Sequence, residues 1–475
     1  MRPLATPHDS PSPARPGRVH GPKRVHGPKR VHVIVQNLPV PFDRRVHLEC
    51  LALIEAGYQV SVVCPKGPGD PKRHVVDGIE LFKYRPYAPT SRKLGFVAEY
   101  AWSFGMTAWL TAKAWRRHPF DALQACNPPD IFWPLARVLR AAGGGGGGRD
   151  GTGPGVRFVF DQHDLCPELY ESRFPEGPRL PHRALRFLER RTYRAADHVI
   201  ATNDSYRAVA MGRGTKRPED VTVVRTGPDP TRLRPGTPEP ALRRGHRFMA
   251  AYIGVMGPQD GVDLLLKAAD HIVHTMGRTD VAFVLIGSGD CFDELVDLAR
   301  GLGLEDHVEF TGRAPDELVS RVMSTADLGL SPDPKNPLND VSTMNKTMEY
   351  MSFALPVVAF DLWETRVSAG DAAVYAEPNV VERYAEAIVD LLDDEPRRRR
   401  MGAIARARVE DELAWHHQAD RYVAVYRALI GPHPTEGAEI GPAAGTGATG
   451  SHPGLAPATR LDDALEPVLG SEAAG

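Results

Sequence analysis

Short apolar runs recur along the chain, spaced by segments with helical periodicity. VHVIVQN (Val31–Asn37) reads as a buried strand, followed by a helix over Arg44–Ala56 and a second strand, YQVSVVCP (Tyr58–Pro65). GIELFKY (Gly78–Tyr84), DALQACN (Asp121–Asn127), VRFVFDQH (Val156–His163), DHVIATN (Asp197–Asn203) and VTVVRTG (Val221–Gly227) follow. A helical pattern is expected before each. Strands alternating with helices predict a parallel, doubly wound α/β sheet.

The pattern restarts near Arg247. FMAAYIGVM, VAFVLIG (Val281–Gly287), VEFTG (Val308–Gly312), LGLSP (Leu328–Pro332), PVVAF and AAVYAEP are its strands. Helices are expected over Gly261–Met276, Asp290–Gly301, Pro315–Thr325, Thr343–Phe353 and Val381–Leu392, then a charged helix from Pro396. The reading is two Rossmann-like domains, 31–230 and 231–412, with a linker near Pro228–Arg244. A last helix, 413–431, is expected to pack back on the first domain. The glycine run Gly143–Gly148 follows a helix and precedes a strand, the wrong order for a phosphate cradle, and reads as a surface loop. Residues 1–30, with RVHGPK at Arg18–Lys23 and again at Arg24–Lys29, read as a disordered basic arm. Residues 432–475, rich in Gly, Ala and Pro, read as a disordered tail.

Composition narrows this picture little. The 475 residues suit two cores, and 42% hydrophobic with 25% charged residues is ordinary for a globular protein. A formal net charge of −2 argues against nucleic acid held by bulk electrostatics. The five cysteines are scattered without metal-type pairing, which fits a reducing, cytoplasmic setting. The N-terminal residues lack the apolar core of a secretory signal, and no long apolar run predicts a membrane span.

The chemistry concentrates in Asn336–Asp361, NPLNDVSTMNKTMEYMSFALPVVAFD. A polar loop leads into a helix and then a buried strand. Ser342 or Thr343 can cap that helix, leaving backbone N–H groups and a positive dipole end for a diphosphate. Lys346 adds a mobile cation, and Asn345 and Glu349, four residues apart, share a face. An amphipathic helix with solvated charges is the plainer alternative. No G-x-G-x-x-G follows the first strand of either domain, which argues against hydride transfer with a dinucleotide.

The ordered set NLPVPFDRR, NPPD (Asn127–Asp130), DQHDLCPE (Asp161–Glu168), TGPD (Thr226–Asp229), GVMGPQDGVDLL (Gly254–Leu265), IGSGD (Ile286–Asp290), FTGR (Phe310–Arg313) and MNKTMEYMSFALPVV resembles glycosyltransferase family 4, over about Val31–Ile430. The flavour is that of the branch acting in cell-surface polysaccharide or O-antigen-like assembly. The resemblance implies the GT-B fold, two Rossmann-like domains facing across a cleft, and a retaining transfer from a nucleotide sugar, UDP-linked in the leading reading. It implies that Glu349 binds the ribose. Gly254, Gly287, Gly289, Arg313, Ser342, Thr343, Asn345 and Lys346 would serve the donor, and His163 would face the donor sugar. Arg44 and Arg45, in the loop after the first strand, would contact an anion or be solvated helix-start charges.

Besides Pro39 and Pro41, which stand where the family's entry loop commonly has Gly-Gly, three positions depart from the family pattern. The first glutamate of its paired-glutamate motif falls at Val341, and Asp340, one residue out of register, is the candidate for the donor-sugar hydroxyls. The diphosphate-gripping Arg and Lys are replaced by Val255 and Asp260. Lys346, aided by the helix N-terminus, is the expected substitute, and with His163 and Glu349 completes the candidate catalytic set. By the same resemblance the departing diphosphate deprotonates the acceptor on the face it leaves. No carboxylate nucleophile, metal or other cofactor is then expected.

Leu94–Arg117 carries Trp102, Trp109 and Trp115 and ends in Lys113, Arg116 and Arg117. It could lie peripherally on the inner face of the cell membrane and meet a glycan or lipid-linked glycan acceptor, or be a core helix. The alternatives to a transferase are a degenerate nucleotide-sugar-binding subunit, which the three departures keep open, and a nucleotide-sugar 2-epimerase.

Overall fold

The computed structural model describes residues 28–432, apart from 68, 88–92 and 143–154 and the side chains of 93–97. The expected arm up to residue 27, the glycine run and the tail from 433 lie outside the described residues. Two sheets organise the rest. The first contains β1 (Arg30–Ile34), β2 (Gln59–Pro65), β3 (Arg73–Val76), β4 (Ile79–Tyr84), β5 (Ala122–Cys126), β6 (Arg157–Gln162), β7 (His198–Ala201) and β8 (Val221–Val223). Their order is β3-β4-β2-β1-β5-β6-β7-β8. The second contains β9 (Phe248–Ile253), β10 (Val281–Ile286), β11 (Val308–Gly312), β12 (Leu328–Ser331), β13 (Val357–Phe360) and β14 (Ala373–Ala376). Its order, β11-β10-β9-β12-β13-β14, is parallel throughout.

The first sheet departs from expectation at one edge. No helix separates β2 from β4; instead β3 pairs antiparallel with β4. The turn explains it: Asp77 and Gly78 have φ of 50° and 83°, the two left-handed residues of a tight hairpin turn, and Asp-Gly is the dipeptide that favours it. Elsewhere the helix over 261–276 is α-helical only to Asp270 and widens into a π turn over His271–Thr275. The helix expected from Thr343 begins at Asn345, and an unanticipated helix, Trp363–Ala369, follows β13.

Each sheet is covered by helices on both faces, with strands buried almost throughout because parallel pairing leaves neither face to solvent. The final helix, Trp415–Ile430, buries Trp415, Tyr422, Val423 and Tyr426 in the same cluster as Val31, Val33, Val46 and Leu53 of the first domain. The domains also share apolar contacts elsewhere: Leu338 and Val341 join a cluster containing Phe160, Leu165 and Tyr206.

The chain between the domains is closely fitted. A Cβ at Gly227 would lie 2.2 Å from the Leu413 carbonyl oxygen and 2.7 Å from the Trp415 nitrogen. Gly227→Ala should therefore lower stability by about 1–3 kcal/mol through overpacking of backbone on backbone. Gly212→Ala, where an added Cβ meets nothing within 4 Å, should leave the midpoint unchanged or slightly raised. Urea unfolding of the two variants compares them directly, and equal midpoints would refute the close-fit account.

Candidate active site

A cleft of ≈ 850 Å³ runs between the domains and takes lining from both: Phe42, Arg44, Arg45 and His163 from the first, Arg313, Thr343, Asn345 and Glu349 from the second. The carboxyl ends of several strands feed loops into it, the position where open α/β sheets hold ligands.

On the first-domain side the cleft floor is a buried ionic network. The Arg45 guanidinium lies 3.0 Å from Glu49 and 3.1 Å from Asp161, and donates to the Val224 carbonyl and the Thr226 hydroxyl. It is not a solvated helix-start charge, nor is it open to an anion, because these four acceptors and His163 Nε2, at 3.2 Å from Arg45 Nε, already surround it. Gln124 Nε2 donates to Glu49 at 2.8 Å and to Asp161 at 3.0 Å, while the Tyr422 and Tyr426 hydroxyls donate to Gln124 Oε1. His163 Nε2 is 2.7 Å from Asp161 Oδ2, and its backbone N–H donates to Asn127 Oδ1. Burial works against the imidazolium, but the Asp161 charge and hydrogen bond outweigh it and raise the His163 pKa. Burial likewise opposes the Asp161 anion, and Arg45 and His163 reverse this, holding its carboxyl well below the usual range.

Glu49, Cys126, Asp161 and His163 place ligand atoms within 4.8 Å of one another, a spacing that a metal ion could bridge. The set suits a guanidinium better. Burial and the Asp161 charge push Glu49 up to about 8, burial raises the Cys126 thiol well above its ordinary value, and Arg45 supplies the counter-charge. A divalent ion would need both acids deprotonated beside a buried cation.

On the second-domain side, Met344 rather than Ser342 or Thr343 occupies the N-cap of helix Asn345–Ser352, and no side chain caps it. The two hydroxyls are drawn across the interface instead. Asn203 Nδ2 donates to Thr343 Oγ1 and to the Val341 carbonyl, and Ser342 Oγ lies 2.9 Å from Tyr206 Oη. Val341 is 8% exposed in the apolar cluster shared with the first domain, so a glutamate there would lose its solvation. Asp340 sits apart from the cleft lining, accepting from the Trp363 N–H at 2.9 Å with Lys335 at 3.4 Å. Asn345 and Glu349 both face the cleft; burial raises the Glu349 pKa, and Arg44 at 3.9 Å opposes that shift.

Lys346 is not the mobile cation expected of it. Its Nζ is 2.6 Å from Asp333 and 3.7 Å from Asp260, lies over the Tyr252 ring at 5.1 Å, and the side chain is 9% exposed. Desolvation opposes its charge, yet the two carboxylates hold its pKa well above the ordinary lysine value. The loop positions that lost their cations thus contain a closed charge cluster. The glycines approach each other rather than open space: a Cβ at Gly287 would lie 1.8 Å from the Gly254 carbonyl oxygen, and one at Gly289 2.5 Å from that of Met256.

Sequence reasoning missed the contacts at the cleft mouth. Arg44 and Arg232 both bond to Asp316, the first residue of helix Asp316–Thr325, and the Arg313 guanidinium lies 4.1 Å above the Phe42 ring. These pairs join residues remote in sequence, and no local pattern marks them.

A family model described as Glycosyltransferase Family 4 matches residues 43–232, and one described as Glycosyl transferases group 1 matches 247–394. The chain belongs to glycosyltransferase family 4. Curated relatives include D-inositol 3-phosphate glycosyltransferase 1 of Catenulispora acidiphila, 30% identical over 50% of this chain and 58% of that one. Another is the alpha-maltose-1-phosphate synthase of Mycolicibacterium smegmatis, 27% identical over 51% and 66%. The matched region spans little more than half of the first curated relatives, 58% and 55% of their length. Among solved structures, sucrose-phosphate synthase from Thermosynechococcus elongatus superposes with TM-score 0.68 at 17% identity, covering 84% of this chain and 99% of that one. WaaG, a glycosyltransferase involved in lipopolysaccharide biosynthesis, gives 0.61 at 18%, covering 84% and 100%. The fold of this family 4 chain is GT-B.

The geometry predicts what truncating Lys346 does. Lys346→Ala leaves Asp333 buried without its cation, and should cost about 3–5 kcal/mol of stability. Urea unfolding measures it; a variant of normal stability that loses only turnover would restore Lys346 to the role of a mobile cation.

Proposed function

We propose that this chain is a retaining glycosyltransferase that moves a sugar from a nucleotide sugar, UDP-linked in our reading, to a glycan or lipid-linked glycan acceptor in the assembly of cell-surface polysaccharide. The observation that carries it is the cleft itself, with Glu349 and the uncapped start of helix Asn345–Ser352 facing His163 across the domain gap. In this reading Glu349, in the cleft lining, accepts hydrogen bonds from the donor ribose. The helix start offers backbone N–H groups to a diphosphate. A fold neighbour, HepE of Anabaena, has been solved with UDP and glucose, in keeping with a UDP-linked donor here.

In this reading the bond from the anomeric carbon to the diphosphate oxygen breaks first. The acceptor oxygen bonds to the same face, and its proton passes to the departing diphosphate. His163, held by Asp161, lines the first-domain side of the cleft, where this reading sets it against the donor sugar. The lost family cations at Val255 and Asp260 favour a second reading, a subunit that binds nucleotide sugar without turnover.

Thermal shift across nucleoside diphosphates and nucleotide sugars, with and without magnesium, tests the donor site. One base should stabilise the protein independently of metal, and Glu349→Ala should abolish most of that shift while leaving the unliganded melt unchanged. A flat panel would refute donor binding. Sugar transfer to added acceptor separates the transferase from the subunit.

The acceptor side of the proposal includes the membrane and a cytoplasmic location. Helix Lys93–Arg117 exposes Trp102 at 45% and Trp109 at 58%, and ends in exposed Lys113, Arg116 and Arg117. No helix among the described residues is long and apolar enough to cross a membrane, so contact would be interfacial. Sedimentation with vesicles of anionic phospholipid should pull the protein down. Trp102→Ala with Trp109→Ala should release it, and retention by that pair would remove this helix from the contact.

A further inference from the structure

We propose that Arg44 and Arg232 supply the counter-charge for the donor's diphosphate from across the cleft, and that Asp316 holds the two guanidinium groups until the donor arrives. The inference rests on the donor-site reading above. It begins with a deficit. A diphosphate leaving group needs positive charge near it. The second domain carries Val255 and Asp260 where the resemblance leads one to expect cations, and Lys346 is committed to Asp333 and Asp260.

The cleft's other cations sort by what already satisfies them. Arg45 is buried among four acceptors, His163 is bonded to Asp161, and His47 lies 3.0 Å from Asp77. Arg313 lies over the Phe42 ring. Arg44 and Arg232 differ. Their side chains are 50% and 52% exposed, and both converge on one carboxylate, Asp316, itself 53% exposed. Ion pairs in water are worth at most about 1 kcal/mol, so exchanging Asp316 for a multiply charged phosphate costs little. Two planar guanidinium groups that share one carboxylate are also preorganised for bidentate phosphate binding.

Position agrees. Arg44 Nη1 is 3.9 Å from Glu349 Oε1, the carboxylate assigned to the ribose, and the diphosphate is the next group along the donor. Arg44 begins the first helix of the first domain, whereas Arg232 lies in the segment joining the domains. The grip therefore forms only when both parts face the second domain. Arg44 and Arg232 face Asp316 and Glu349 before binding, and a diphosphate that displaces Asp316 takes its place as the shared partner of both guanidinium groups.

Calorimetry on the full chain tests this with ADP, CDP, GDP, TDP and UDP, each beside its parent nucleoside. The ratio of nucleoside to nucleoside-diphosphate Kd isolates what the phosphates contribute. Arg44→Ala and Arg232→Ala should each shrink that ratio about tenfold or more, the size of a charged hydrogen bond, with nucleoside Kd unchanged. Arg44→Lys and Arg232→Lys should retain part of it, and Asp316→Asn should leave or enlarge it. An unchanged ratio in both alanine variants overturns the proposal. So does an equal loss for nucleoside and diphosphate, which would mark a role in the fold or in holding the ribose. If the wild-type chain binds no nucleoside diphosphate, the donor-site reading fails first and this inference with it.

Discussion

The buried Arg45 guanidinium is the interaction on which the first half of the cleft depends. Its partners lie on separate parts of the domain: Glu49 one turn along its own helix, Asp161 at the end of β6, and Val224 and Thr226 on the chain leaving β8. A guanidinium out of water must have nearly all its donors met, and each acceptor is costly to leave alone once desolvated. The set therefore holds one geometry. Gln124 extends it from β5 to Tyr422 and Tyr426 of the last helix, so the segment returning from the second domain is tied to the same network. His163 is oriented by it, through Asp161 from the side chain and Asn127 from the backbone.

The two domains meet through contacts of different character. Near β7 the interface is closed: Val341 and Leu338 sit in apolar surroundings, and Asn203 and Tyr206 engage the loop before helix Asn345–Ser352. Ser205 Oγ adds a 2.6 Å bond to the buried Glu364 carboxylate. At the mouth the contacts are exposed ion pairs and one guanidinium–ring stack, Arg313 on Phe42. Buried contacts of the first kind are expensive to break, and exposed ones of the second exchange readily with solvent or ligand. A ligand would thus change the mouth before the closed interface near β7.

Much of this was readable from local sequence. Continuous apolar runs between helical periods located every strand of both sheets except β3, because fully buried parallel strands have no polar face to dilute the signal. The β3–β4 hairpin was also legible, in Asp77-Gly78, but its strand alternates in burial and was too short to stand out. The candidate site was read less well. Glu349, Asn345 and His163 face the cleft as their motifs suggested. Lys346 failed because sequence distance from a helix start says nothing about which carboxylates fold over it; Asp333 is 13 residues away and Asp260 lies on another loop. Arg45 failed for the same reason, since its acceptors come from three separate stretches of the chain.

Burial divides the cations of this molecule by role, and the division bears on how its chemistry can be organised. Lys346 is enclosed by Asp333 and Asp260, and Arg45 by Asp161, Glu49 and two further oxygens, which fixes their positions and turns their charge inward. The second domain therefore brings the start of helix Asn345–Ser352 to the cleft and little net charge from its glycine loop. For the proposed donor, a field strong enough for a departing diphosphate has to be completed by side chains on the opposite wall or in the segment between the domains. In the proposed reading, donor recognition is coupled to domain approach: the base and ribose dock on the second domain, whereas the phosphates are fully met only when both walls face each other. That arrangement would keep the leaving group poorly stabilised whenever the cleft is open, which limits cleavage of the donor to water in the absence of an acceptor.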